Sequence, residues 1–244
     1  MIAASLMYSR ATSRRTWGLR RLEVLAGLMQ AALLAGIGIY AGIEGIQRLS
    51  DPVQVDHLPL AVFGALGLAG NIASLLVLRV HRHSNFNLRA AFLEVLADAL
   101  GSVAVLVAAA SIWLTGWAQA DAVAALLIAA LIVPRAIILL VETSRVLLEF
   151  TPRGVDLEAV REHLRGVRHV EDVHDLHAST VATGLPIISA HVVLDEACFN
   201  QDCAPEVLAD LRECVAEHFD VSIEHSTFQL ETRELAGAER HSHR

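Results

Sequence analysis

The sequence predicts an α-helical membrane protein with four transmembrane helices, followed by a small C-terminal α+β domain. Three observations carry this reading. Hydrophobic residues make up 54% of the 244 residues and the mean hydropathy is +0.48, where a soluble domain has an apolar share of about 45 to 50%. The apolar residues concentrate before Leu148 in four runs, each reaching the roughly 20 residues a helix needs to cross a bilayer. Beyond Thr151 the character changes: most histidines gather there, and short stretches alternate as half-buried strands do. The boundaries follow as a transmembrane domain over 1–151, a soluble α+β domain over 152–235 and a disordered tail over 236–244.

In chain order, residues 1–8 are apolar but too short to cross a membrane. Residues 10–21 hold five arginines, which the positive-inside rule places in the cytoplasm. The first span is predicted at 22–46, with Glu23 and Glu44 near enough to its ends to snorkel. The stretch 50–59 lacks arginine and contains proline, so it turns outside. The second span, 58–80, carries Gly64, Gly67 and Gly70 at a spacing of three, small enough to admit a neighbouring helix, with Asn71 placed to bond across the contact. A basic loop follows with His81 and His83, which read as solvated histidines or as metal ligands. The third span, 90–114, ends outside at a Thr115-Gly116-Trp117 corner, and the fourth, 121–147, returns with Pro134 inside it and Arg135 beside that proline. Four spans leave both termini in the cytoplasm, in a multi-pass protein of the cell membrane.

The third span holds the chemistry. Glu94 and Asp98 are four residues apart, hence on one helix face. Each acid at mid-membrane costs roughly 2.5 to 3.5 kcal/mol. A divalent cation, or a proton exchanging with one, would offset that cost; a pair snorkelling to water or bonded to a neighbouring helix is the other reading. No nucleophile accompanies the acids, which argues against an intramembrane enzyme. The net charge of -8 and the lack of a basic run outside the N-terminal region argue against nucleic-acid binding.

In the soluble region Asp156 is placed to cap a helix through Leu164, strands are expected at 170–180, 186–194 and 221–230, and an amphipathic helix at 204–219 with Pro205 in its first turn. That order suits an open sandwich with helices on one face of the sheet. Cys198, Cys203 and Cys214 are odd in number and have no framework spacing, so a disulfide scaffold is not expected and a reducing compartment is.

The words TWGLRRLEVLAGL, NLRAAFLEVLADALGS, LLEFTP, VHDLHA, SAHVV and EHSTFQLE occur in this order along the chain. They resemble the cation diffusion facilitator family of metal cation/proton antiporters, over nearly the whole length. The resemblance implies a homodimer, six transmembrane helices of which these four are the last, and a cytoplasmic domain of metallochaperone-like fold. It implies efflux of a divalent cation, zinc foremost, with cobalt, cadmium, manganese or iron as further candidates, in exchange for protons. On this reading the first two helices and their pair of ligands are missing, through a truncated gene or a start placed too late. Zinc-transporting members usually carry His-x-x-x-Asp where this chain has Glu94 and Asp98, and the carboxylate hardens the site toward manganese, iron or cobalt.

By the same resemblance His174, His191 and His225 bind a regulatory metal, with Cys203 standing where relatives often have a histidine; thiolate and imidazoles make a good zinc set. His177, three residues from His174, is expected on the opposite strand face, and Glu231 about 20 Å along the strand from His225, too far to share its ion. The alternative to transport is a truncated, non-transporting member that binds metal, dimerises and regulates full-length relatives.

Overall fold

The computed structural model describes residues 12–79, 86–219 and 221–238; His81 and His83 lie outside them. Four long helices come first: α1 (Arg21–Ser50), α2 (His57–Arg79), α3 (Phe86–Thr115) and α4 (Gln119–Leu147). Each is long and apolar enough to cross a membrane. α1 runs about a turn past its expected end and α3 starts about a turn before its expected start, because polar residues there continue the backbone ladder beyond the apolar stretch, and α4 continues through Pro134. By contacts the chain divides into two compact units, Met29–Leu140 and a second made of the residues up to Leu28 with those from Val141 on.

In the first unit the apolar surface faces outward, with Phe63 at 74% and Trp113 at 68% exposure, as lipid permits and water would not. Between helices the contacts are made by small residues. A Cβ added to Gly64 would lie 3.1 Å from both Leu106 and Val105, and one on Gly67 would lie 3.1 Å from the Ser102 hydroxyl, while one on Gly70 would meet nothing within 4 Å. The expected glycine stripe therefore seats α2 on α3 with two of its three members. The Asn71 amide donates to Ser102 Oγ at 3.3 Å across that seam. Ala108, Ala120 and Ala124 form a small core joining α3 and α4. Arg48 bonds Glu44 and also reaches Asp121 at 2.7 Å, tying α1 to the start of α4.

The second unit contains a three-stranded sheet in the order β1-β2-β3, with β1 (Val170–Ala182), β2 (Leu185–Leu194) and β3 (His225–Glu231). β1 and β2 are antiparallel and β2 and β3 parallel. Around it lie α5 (Leu157–Arg165), α6 (Glu196–Asn200), α7 (Ala204–Glu217) and α8 (Arg233–Ala238). Asp156 caps α5 by accepting from the Glu158 and Ala159 amides. Val160 and Leu164 of α5 and Val207, Leu211 and Val215 of α7 pack with Val173, Ile188, Ala190 and Val192 into one core, so these helices cover one sheet face. The other face carries the polar residues.

Three details differ from the sequence reading. β3 starts at His225 and not at 221, because the Ile223 amide bonds the Val215 carbonyl and its side chain plugs the core. Residues 236–238 belong to α8 and not to a disordered tail; the rest of that tail lies outside the described residues. Cys198 and Cys203 are joined in a disulfide, since the turn between α6 and α7 brings their Cα atoms to 5.0 Å, a separation that their spacing does not reveal.

Candidate metal centres

Glu94 and Asp98 stand one turn apart on α3 and both are exposed. Arg135, in the middle of α4, forms an ion pair with Glu94. A guanidinium and a carboxylate inside an apolar span each carry an insertion penalty that pairing offsets. The pairing also means that Glu94 already holds a cationic partner, which any metal must displace. One turn beyond Asp98, Ser102 donates to the Asp98 carbonyl at 3.2 Å and receives the Asn71 amide. Among the described residues Glu94 and Asp98 join no third His, Cys or acid in a metal-sized group.

On the open sheet face a tighter group forms. Register places His174 opposite His191, and His191 beside Gln229, with Glu231 two residues further along β3. His191 Nδ1 lies 2.9 Å from Glu231 Oε1, and His174 Nε2 lies 3.5 Å from Glu231 Oε2. The two imidazoles meet edge to face, with ring centroids 5.3 Å apart. One ligand atom from each of His174, His191 and Glu231 falls within 4.8 Å of the others. The Glu231 side chain is fully buried, and its Oε2 accepts no hydrogen bond among the described residues, while Oε1 receives the Gln229 amide. A buried carboxylate oxygen left in this state is costly, and a cation held between it and the two imidazoles would remove the cost. Two nitrogens and a carboxylate suit zinc or a neighbouring transition metal, with a fourth position left for water or another ligand.

Of the residues the sequence nominated here, the structure brings His174 and His191 together and leaves out His225 and Cys203. His225 pairs with Ile187, four residues before Gln229, and its ring packs edge-on against Trp17 at 4.8 Å. Because β3 runs parallel to β2, its far end and not its start comes level with His191. The separation of Glu231 from His225 agrees with strand geometry, but Glu231 is the member that joins the pair. Cys203 is bonded to Cys198 at the start of α7, away from the group.

His177 lies on the same sheet face as His174 and not on the opposite one. A register shift lies between His174 and His177, where Asp175 adopts a left-handed backbone (φ 49°). This bulge adds a residue, so Val173, Leu176 and Ala178 face the core and His174 and His177 share the open face. Asp175 thereby sits at the group's border, its carboxylate 3.1 Å from His177 Nε2 and 3.8 Å from His191 Nε2. Nearby, Asp172 is pushed up by burial, yet the Arg165 guanidinium and the Val173 amide outweigh that and hold its carboxyl below the ordinary range.

Four membrane-length helices with an acid pair on the third, followed by an α+β domain whose open face gathers imidazoles and a carboxylate, define a multi-pass membrane protein. Residues 1–148 match the cation efflux transmembrane domain, and residues 152–233 match the cation efflux protein cytoplasmic domain. The chain belongs to the cation efflux family, the cation diffusion facilitators. It is 38% identical over 231 residues to the metal cation efflux system protein CzcD of Cupriavidus metallidurans, covering 95% of this chain and 72% of that one. To the cadmium, cobalt and zinc/H(+)-K(+) antiporter of Bacillus subtilis it is 31% identical over 234 residues, 95% of this chain and 74% of that one. To the zinc transporter ZitB of Escherichia coli it is 33% identical over 232 residues, 94% and 72%. A solved structure of the metal-bound C-terminal domain of CzcD is 35% identical, covers 32% of this chain and 99% of that one, and superposes with a TM-score of 0.28.

Proposed function

We propose that this protein exports a divalent metal cation from the cytoplasm in exchange for protons, with zinc as the first candidate, cobalt and cadmium next, and manganese and iron after them. It acts as a homodimer in the cell membrane with both termini in the cytoplasm. Glu94 and Asp98 bind the cargo ion, and His174, His191 and Glu231 bind a second ion that regulates the cytoplasmic domain. The observation that carries the reading is the placement of Glu94 and Asp98 on one face of an apolar helix, with a guanidinium already seated on one of them. Such a site exchanges cations by design: Arg135, a proton or a metal each satisfies Glu94, and only one does so at a time. The names of the relatives, which include zinc, cadmium and cobalt carriers and an H(+)-coupled antiporter, support the same cargo and coupling.

The test is metal uptake by everted vesicles or proteoliposomes, with internal pH followed by a dye. Wild-type protein takes up zinc only with a proton gradient, and Asp98→Asn removes uptake while leaving the purified protein folded. Uptake that survives Asp98→Asn would end the assignment. One observation favours a second reading, a metal-binding regulator that does not transport: the two carboxylates join no third metal-ligating group among the described residues. That reading requires zinc binding without uptake in the same vesicles.

A further inference from the structure

A second group of ligand-type side chains lies in the helical layer of the soluble domain, on the side of the sheet away from His174 and His191. Cys214 and His218 are four residues apart at the end of α7, so they share a helix face. His163 faces them from the last turn of α5. His163 Nε2 and His218 Nδ1 are 3.1 Å apart, and one ligand atom from each of the three residues lies within 4.8 Å of the others. We propose that His163, Cys214 and His218 form a metal site separate from the sheet-face group, taking a thiophilic divalent ion such as zinc, cobalt or cadmium through two imidazole nitrogens and one thiolate.

The dimensions fit. With Zn–N bonds of 2.0 to 2.1 Å, a tetrahedral ion holds two nitrogens about 3.4 Å apart, so the pair opens by only a few tenths of an ångström to admit it. One soft thiolate and two borderline imidazoles prefer zinc, cobalt(II) or cadmium over magnesium or calcium. The helix ends favour a cation as well: both imidazoles sit at helix C-termini, where the macrodipole is negative, α7 has no basic residue in its last turn, and Arg165 in the last turn of α5 is paired with Asp172. Access and anchoring are divided between the ligands. The imidazoles are exposed, so the ion reaches them from solvent and keeps an open coordination position, while Cys214 is buried in the domain core, which fixes its sulfur. Phe219 packs edge-on against the His163 ring, with centroids 5.5 Å apart, and orients it. Burial raises the Cys214 thiol above its ordinary pKa, so the sulfur stays protonated until an ion displaces the proton. Metal here would link α5 to α7, the two helices that cover the sheet, and so tie ion occupancy to the rigidity of this domain.

The experiment uses the full chain purified in detergent with the Cys198–Cys203 disulfide intact, so that Cys214 is the free thiol. Cobalt(II) is titrated and the near-ultraviolet thiolate-to-cobalt charge-transfer band is followed. A band that saturates at one cobalt per chain is expected. It should vanish in Cys214→Ser, weaken at least tenfold in affinity in the double variant His163→Asn/His218→Asn, and be unchanged in His191→Ala and in Glu231→Gln. The double variant alters only exposed positions, so it decides the matter even if Cys214→Ser fails to fold. Absence of the band, or a band indifferent to both histidines, would overturn the site and leave His163 and His218 as a hydrogen-bonded pair.

Discussion

His191 Nδ1 and Glu231 Oε1 face each other at 2.9 Å across the parallel β2–β3 pair, and this contact, not the His225 motif, completes the group on the open sheet face. Removing the carboxylate while keeping its shape tests it. Glu231→Gln should weaken zinc binding to this group by at least tenfold, about 1.4 kcal/mol, whereas His225→Ala should leave it within twofold. Calorimetry on the full chain in detergent, in the Cys214→Ser background, gives both numbers. Equal losses from the two variants would restore His225 to the site.

The α2–α3 seam predicts an asymmetry among three glycines of the same stripe. Gly64→Val should lower the melting temperature of the detergent-solubilised protein, since its Cβ alone already presses on Leu106 and Val105, and overpacking typically costs about 1 to 3 kcal/mol. Gly70→Ala has open space around it and should leave melting unchanged or slightly raised, because alanine is the better helix former. Thermal unfolding of the two variants checks this, and matching losses would mean that the stripe packs along its whole length.

What the sequence revealed was set by how local the signal is. The membrane helices were legible because apolar length is a property of consecutive residues, and α5, β1, β2 and α7 because period and caps are local too. His174 and His191 came from their motifs, and their antiparallel register opposes them directly. Glu231 was hidden by non-local facts: that β3 runs parallel to β2, and that it begins at His225. The face of His177 does not follow from residue counting, which assumes a regular pleat that the bulge at Asp175 breaks. Arg135 stood out beside Pro134, but its partnership with Glu94 depends on helix packing. The meeting of His163 with Cys214 and His218 depends on the packing of α5 beside α7.

Acid should act on the soluble domain through Asp195. Its carboxylate accepts from His169 Nδ1 at 2.8 Å and from the Cys198 amide at 2.7 Å at the start of α6, and these bonds hold its pKa below the ordinary value. A depressed folded-state pKa contributes stability that is fully present above the unfolded value, about 3.9, and is lost as pH falls through the folded one. Asp195→Asn should therefore destabilise the protein at neutral pH and flatten the acid limb of its stability curve below about pH 4. Melting temperature against pH for both proteins is the measurement; parallel curves would show that Asp195 contributes no linkage.

The Arg135–Glu94 ion pair makes the most direct prediction about transport. If the guanidinium competes with the cargo ion for Glu94, its removal should help the ion bind while leaving both carboxylates in place. Arg135→Gln, which keeps a polar side chain of moderate length, should lower the zinc concentration for half-maximal binding by roughly tenfold, about 1.4 kcal/mol. The maximal transport rate should fall, since an ion held more tightly leaves more slowly and Arg135 is no longer there to refill the site. Glu94→His should also keep transport and shift preference toward zinc relative to manganese, because imidazole is the softer ligand. Binding and uptake must be measured on the same preparation to separate affinity from turnover. A weaker zinc affinity in Arg135→Gln would show that the arginine holds Glu94 in place for the metal instead of competing with it, and the exchange mechanism would then have to run through Asp98.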